Sequence, residues 1–150
     1  MSAWLWIASP RKWRSAAGLS ALDALHQYVL SDYVYWATPI LQEVAVNEPS
    51  YIWLTEHGIV AVGFIAEPPR FYTGDNARDF LHPRRLEALG WDESRATSLW
   101  KTGIHLQHHR WANPVLVHFQ PGFLRGKTVV RLDAQQHRNI LRALGERGEA

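Results

Sequence analysis

The sequence predicts an α+β fold: a small mixed β-barrel or curved sheet with flanking helices. Three observations predict it. Short apolar runs of strand length recur along the chain, bounded by turn-forming residues. Two segments instead carry helical spacing behind capping residues, one early and one at the end. The resulting order of strand, helix, several strands and helix suits a compact mixed sheet with helices packed outside. At 150 residues the chain is long enough for one domain with a real core, and residues 1–150 are read as that single domain.

Residues 4–8 form a continuous apolar run ended by Ser9-Pro10, a short buried strand. Arg11, Lys12 and Arg14 follow as a basic cluster around Trp13. Ser20 is the expected N-cap of a helix, with Asp23 three residues on; Leu22, Leu25, His26 and Val29 give its face, to about Leu30. Residues 31–39 read as a polar-flanked turn that holds Trp36, and residues 40–46 as one helical turn at most. Residues 51–55 and 59–65 are strand-like, and Glu56-His57-Gly58 joins them as a hairpin. In the second strand Ala61 and Gly63 leave room for another backbone, and Pro68-Pro69 is expected to end it.

Residues 70–95 are the most polar stretch and read as an excursion from the sheet. A short helix is expected over 83–89, with Pro83 at its first position and Gly90 past its end. Residues 98–110 alternate, setting Trp100, Thr102, Ile104 and Leu106 against Leu99, Lys101, Gly103 and His105, which predicts a half-buried strand. Residues 114–119 and 127–132 are two more short strands. The last helix is the clearest element. Asp133 caps it, Gln136 completes a capping box, Ile140, Leu141 and Leu144 make the buried face, and Gly145 ends it.

Composition bounds the function. Eight Trp in 150 residues exceed what a core needs and leave one or two for another task. A formal charge of +2 and a pI of about 9.2 are compatible with a nucleic-acid partner. The absence of Cys excludes disulfides, thiolate zinc sites and Cys nucleophiles. The first apolar run is too short for a signal peptide, and no stretch approaches the roughly 20 apolar residues of a membrane span. A soluble cytoplasmic protein without membrane contact is expected. No GxSxG, P-loop or GxGxxG motif is present, and Asp75, Asp79, Asp92 and Glu93 fall where solvated carboxylates sit. His105, His108, His109 and His118 lack metal-ligand spacing. No catalytic residue, metal or cofactor is therefore expected.

The segments WLWIASPRKW, YWATP and YIWLTEHGIVAVGFIAEPP together resemble the EVE branch of the PUA-like superfamily. There an opening strand ends in a Ser/Asn-Pro turn and a Trp, and a Tyr-x-Trp hairpin follows. YWAT is also similar to the VWST turn of YTH domains, a sister group. The likeness covers roughly the first half of the chain; the closing KTVVRLDAQQHRNILRAL resembles the terminal strand and helix less specifically. It implies a small β-barrel flanked by helices, with a pocket for a flipped and often modified base. Trp36 would then be a cage wall, the backbone amides near Ala37 and Thr38 would meet the base edge, and Ser9 and Pro10 would lie at the pocket floor or rim. The sequence departs from the family in having Glu48-Pro49-Ser50 where Gly-Asp is usual. The second aromatic wall does not align, and Trp100, Trp111 and the His105–Leu106 region are its alternatives.

The expected function is a nucleic-acid reader that accepts a modified base, methylated or hydroxymethylated, from DNA or RNA. An extruded base loses its stacking, and an aromatic side chain returns roughly 1–3 kcal/mol of it. Trp36 stacks, Thr38 and Ser9 fix the base edge, and Trp13 and Trp100 complete the aromatic set. Arg11, Lys12, Arg14 and Arg110 hold phosphate, and Arg84-Arg85, His108-His109 and Arg125-Lys127 are further cations. A separate effector protein would be a second partner. Without the motif Trp36 reads as core, as Trp4, Trp6 and Trp53 do. Two other classes stand beside the reader: a PUA- or ASCH-like RNA nuclease using His105 or His109, and a protein-interaction module with an aromatic surface.

Overall fold

The computed structural model describes residues 1–8, 33–37, 43–73, 75–81 and 100–146. Strand β1, Ala3–Ala8, is apolar throughout, and all six residues are buried. A strand without a polar face must be covered on both sides. Trp4, Trp6 and Ala8 enter one core cluster; Ala3, Leu5 and Ile7 enter a second on the opposite face.

Strand β2 is Tyr33–Ala37, β3 Pro49–Leu54, β4 Gly58–Phe71, β5 Trp100–His109 and β6 Val129–Leu132, and helix α1 is Ala134–Glu146. A single 3-10 turn, Ala77–Asp79, follows β4. The strands form one sheet in the order β2-β5-β4-β3-β1-β6. β1 and β3 are parallel, with Trp4 opposite Ser50 and Ala8 opposite Leu54. The other four pairings are antiparallel. Among the described residues β2 and β6 remain the two edges, so the mixed sheet is open and not a closed barrel. α1 covers the second face through Ile140 and Leu144, and its capping box forms as expected: the Asp133 amide donates to Gln136 Oε1 at 2.9 Å, and the Gln136 amide to Asp133 Oδ1 at 2.7 Å.

Several sequence expectations need correction. Residues 33–37 are a strand and not a turn, because Tyr33, Val34 and Tyr35 alternate between two buried faces along β5. Pro68-Pro69 does not end β4, which continues to Phe71. β3 accompanies β4 no further than Phe64, and the register with β5 slips between Ile65 and Glu67 and again between Glu67 and Arg70. Prolines in such a slip break no ladder bond. β5 is buried on both faces from Lys101 to Ile104 and is not half-buried there. Residues 114–119 contribute one bridge, Val115 with Ile59, before the chain turns away and packs Phe119 on Trp53. Leu141 is 46% exposed, because Ile140 and Leu144, four residues apart, define the buried stripe and Leu141 lies on its flank. Gly145 falls inside the last turn of α1 and does not end it. The helices expected over 20–30 and 83–89 lie outside the described residues. Among the described residues no helix is long and apolar enough to cross a membrane.

β4 and β5 approach most closely at Gly63. A Cβ there would meet the His105 carbonyl oxygen at 2.0 Å, and that atom is fixed by the sheet. Gly63→Ala is expected to lower unfolding stability by about 2–3 kcal/mol, read from chemical denaturation.

Candidate functional site

Trp36 stands on the outermost strand, directly opposite Thr102 of β5. It is partly buried against the cluster that contains Trp4, Trp6, Ile104 and Leu106. Its inner side is thus supported by core while part of the ring remains accessible. Trp100 lies two residues from Thr102 on the same strand, and alternation puts it on the same face as Trp36. Such diagonal neighbours stand about 7–8 Å apart. A flat ring inserted between two aromatic planes needs roughly 3.5–4 Å on each side. Trp100 is in turn held edge-on by Phe71, with ring centroids 5.6 Å apart. β2 is an edge strand among the described residues, so alternate backbone groups point away from the sheet.

Two buried polar atoms belong to the same face. Trp6 Nε1 and Ser50 Oγ have no hydrogen-bond partner, although both residues are fully buried. Buried donors are normally satisfied, and one left open costs about 1–3 kcal/mol. Trp4, beside them, is satisfied: its indole donates to Glu48 Oε1 at 3.0 Å.

The remaining candidates divide clearly. Ser9, Pro10, Arg11, Lys12, Trp13, Arg14 and Thr38 lie outside the described residues. Ala37 ends β2, opposite Lys101. Arg110 is only 9% exposed, and its amide donates to the Val60 carbonyl, which sets it apart from the exposed cations suited to phosphate. Trp111 packs partly buried on the first cluster, while Trp53 lies in the second core. His105 is stacked on Phe64, centroids 5.1 Å apart, with Tyr33 edge-on at 6.4 Å. Among the described residues no three His, Asp or Glu side chains gather as metal ligands.

The structure adds a group that the sequence reading passed over. Tyr33, Tyr35, Tyr72 and Phe80 form a small aromatic cluster on the far face of β2 and β5. Tyr33 Oη donates to Glu67 Oε2, and the Leu81 amide donates to Glu67 Oε1 at 3.0 Å. Burial first, and then the hydrogen bond and charge of Glu67, raise the Tyr33 hydroxyl far above its ordinary value. Gly103 lies beneath this pair; a Cβ there would meet Tyr33 Oη at 2.3 Å. Two residues along, Lys101 is wholly buried, and burial pushes its ammonium down to about 7. The alternation of β5 already set Lys101 and Gly103 on one face, but no local pattern marked that face as covered.

No protein-family model matches the sequence, and no curated protein matches it. Solved structures do. A hypothetical protein from Leishmania major superposes with a TM-score of 0.58 at 13% identity, over 99% of this chain and 98% of that one. The human THYN1 protein in complex with 5-methylcytosine-containing DNA gives 0.52 at 12%, over 95% and 96%. A mutant ASCH protein from Zymomonas mobilis gives 0.53 at 10%, over 93% and 96%. At these identities the likeness is one of fold, and the chain has the PUA-like fold of these structures.

Lys101 generates a test of the buried face. Its folded-state value lies below its ordinary 10.5, so between about pH 7 and 10.5 the unfolded chain holds a proton that the folded chain does not. Stability is therefore expected to rise with pH across that window, by up to about 1.4 kcal/mol per unit. Lys101→Met should flatten the rise, read from urea melts across the window.

Proposed function

We propose that the chain is a nucleic-acid reader of the EVE type, which accepts a flipped, modified base between Trp36 and Trp100 and does not turn it over. The observation that carries this reading is the fold it shares, over nearly its whole length, with THYN1 solved on 5-methylcytosine DNA. The local geometry supports it. Trp36 offers a partly accessible ring on a rigid edge strand, with Trp100 at a diagonal position on the same face. Outward backbone groups of β2 would supply hydrogen bonds to the base edge.

Methylated cytosine is the first ligand to try. Burying one methyl group contributes about 0.8 kcal/mol, roughly fourfold in affinity. Trp fluorescence titration with short DNA and RNA oligonucleotides, unmodified or carrying methylated or hydroxymethylated cytosine or methylated adenine, is expected to show a preference of at least about that size. Trp36→Ala should weaken binding of the preferred oligonucleotide by about 5- to 150-fold, the equivalent of one lost stack, and leave the fold intact. A Trp36→Ala protein that unfolds would assign Trp36 to the core, and flat titrations by the unaltered protein would refute the reader.

A further inference from the structure

The charges of this chain are unevenly distributed. Residues 94–146 contain eight Lys or Arg and two acids, Asp133 and Glu146, whereas residues 1–93 contain seven Lys or Arg and eleven acids. Of the basic residues in the later part, Lys101 and Arg110 are buried. Arg125, Lys127, Arg131, Arg138 and Arg142 are all exposed. These five lie on consecutive pieces of the fold: the loop of residues 120–128, edge strand β6, and α1, which follows β6 directly and contacts it.

The loop is anchored. Phe119 packs on Trp53 at 5.4 Å and stacks on Phe123 at 5.3 Å. The Lys127 ammonium sits over the Phe123 ring, 5.1 Å from its centroid. Turn hydrogen bonds run from Phe123 to Gln120, from Arg125 to Gly122 and from Lys127 to Leu124, and the Thr128 carbonyl accepts from Ile7 of β1 at 2.8 Å. Of the two acids, Asp133 is engaged, since its Oδ1 accepts the Gln136 amide. Arg131 alternates with Val130 and Leu132 and so lies on the side of β6 away from α1, which sets the exposed cations around the β6 edge. Like charges gathered there repel, and a polyanion relieves that repulsion while releasing its own counterions.

We infer that the β6 edge of the sheet, with the loop before it and α1 after it, is a phosphate-contact surface that carries the nucleic-acid backbone away from the base pocket. The inference rests on the reader function proposed above. β6 and β2 are opposite edges of a six-stranded sheet. At about 4.8 Å per strand they are separated by at most about 24 Å, or roughly seven nucleotides at 3.4 Å each. An oligonucleotide of about seven nucleotides or more is therefore long enough to engage both Trp36 and this edge.

The test compares the unaltered protein with Arg125→Gln/Lys127→Gln/Arg131→Gln, binding a 5-methylcytosine DNA of about 12 nucleotides across a salt series. The variant is expected to reduce the slope of log affinity against log salt by about 2.1, at about 0.7 per lost phosphate contact of a single strand. It should weaken methylated and unmodified DNA by the same factor, keeping the preference conferred by Trp36. If the triple variant loses its fold, Arg138→Gln/Arg142→Gln on α1 should reduce the slope by about 1.4. An unchanged slope in folded variants of a protein that binds DNA would overturn this surface and leave the reader standing. Absence of binding by the unaltered protein would overturn both. Binding to phosphatidylserine vesicles but not to DNA, lost in the triple variant, would assign the face to a membrane and refute the proposal.

Discussion

The carboxylate of Glu48 holds the central parallel pair of the sheet in register. Hairpins fix their own register through the turn, but β1 and β3 run parallel and share no turn. Glu48 stands immediately before β3 and accepts the Trp4 indole at 3.0 Å, the Ala45 amide at 2.7 Å and the Ser2 amide at 2.8 Å. Burial alone would raise this carboxyl; the hydrogen bonds from Trp4, Ala45 and Ser2, with the N-terminal charge, offset it and hold the group below its usual value. A slip of one residue would turn Trp4 and Trp6 out of one core and into the other. Both hydrophobic clusters depend on this grip, and so does the wall behind Trp36.

A sheet covered on both faces is stiff, and stiffness is what a pocket at its edge requires. The outer part of the sheet, where β2, β5 and the far half of β4 meet, differs from the rest. It carries the buried Glu67, Tyr33 and Lys101 and the aromatic pairs around Phe80, whereas the other end sets the buried Glu48 and Ser50 among aliphatic and Trp side chains.

The sequence was most readable where a local pattern coincides with its tertiary setting. β1, the β3–β4 hairpin, β5, β6 and the capping box of α1 all follow from apolar runs and turn or cap residues that need no knowledge of the rest of the molecule. β2 was misread because Asp32 and Pro39 flank its five residues, and its strand character comes from pairing with β5, seventy residues away. The Pro pair in β4 was misread because its tolerance depends on where β3 stops. Of the site, Trp36 and Trp100 could be named from sequence, but their shared face follows from the register of β2 on β5. The unpartnered Trp6 nitrogen, the Tyr33–Glu67 pair and the burial of Lys101 leave no trace in composition or spacing, since each is produced by residues far apart along the chain.

Pro68 and Pro69 sit in the stretch of β4 that has β5 on one side and, among the described residues, no strand on the other. A bare β-edge invites a strand from a second molecule, and that invitation is the first step toward fibrillar assembly. Two adjacent residues without amide hydrogens withdraw the donors that such a guest would need. The same pair therefore lets the far end of β4 run on beyond β3 without seeding aggregation.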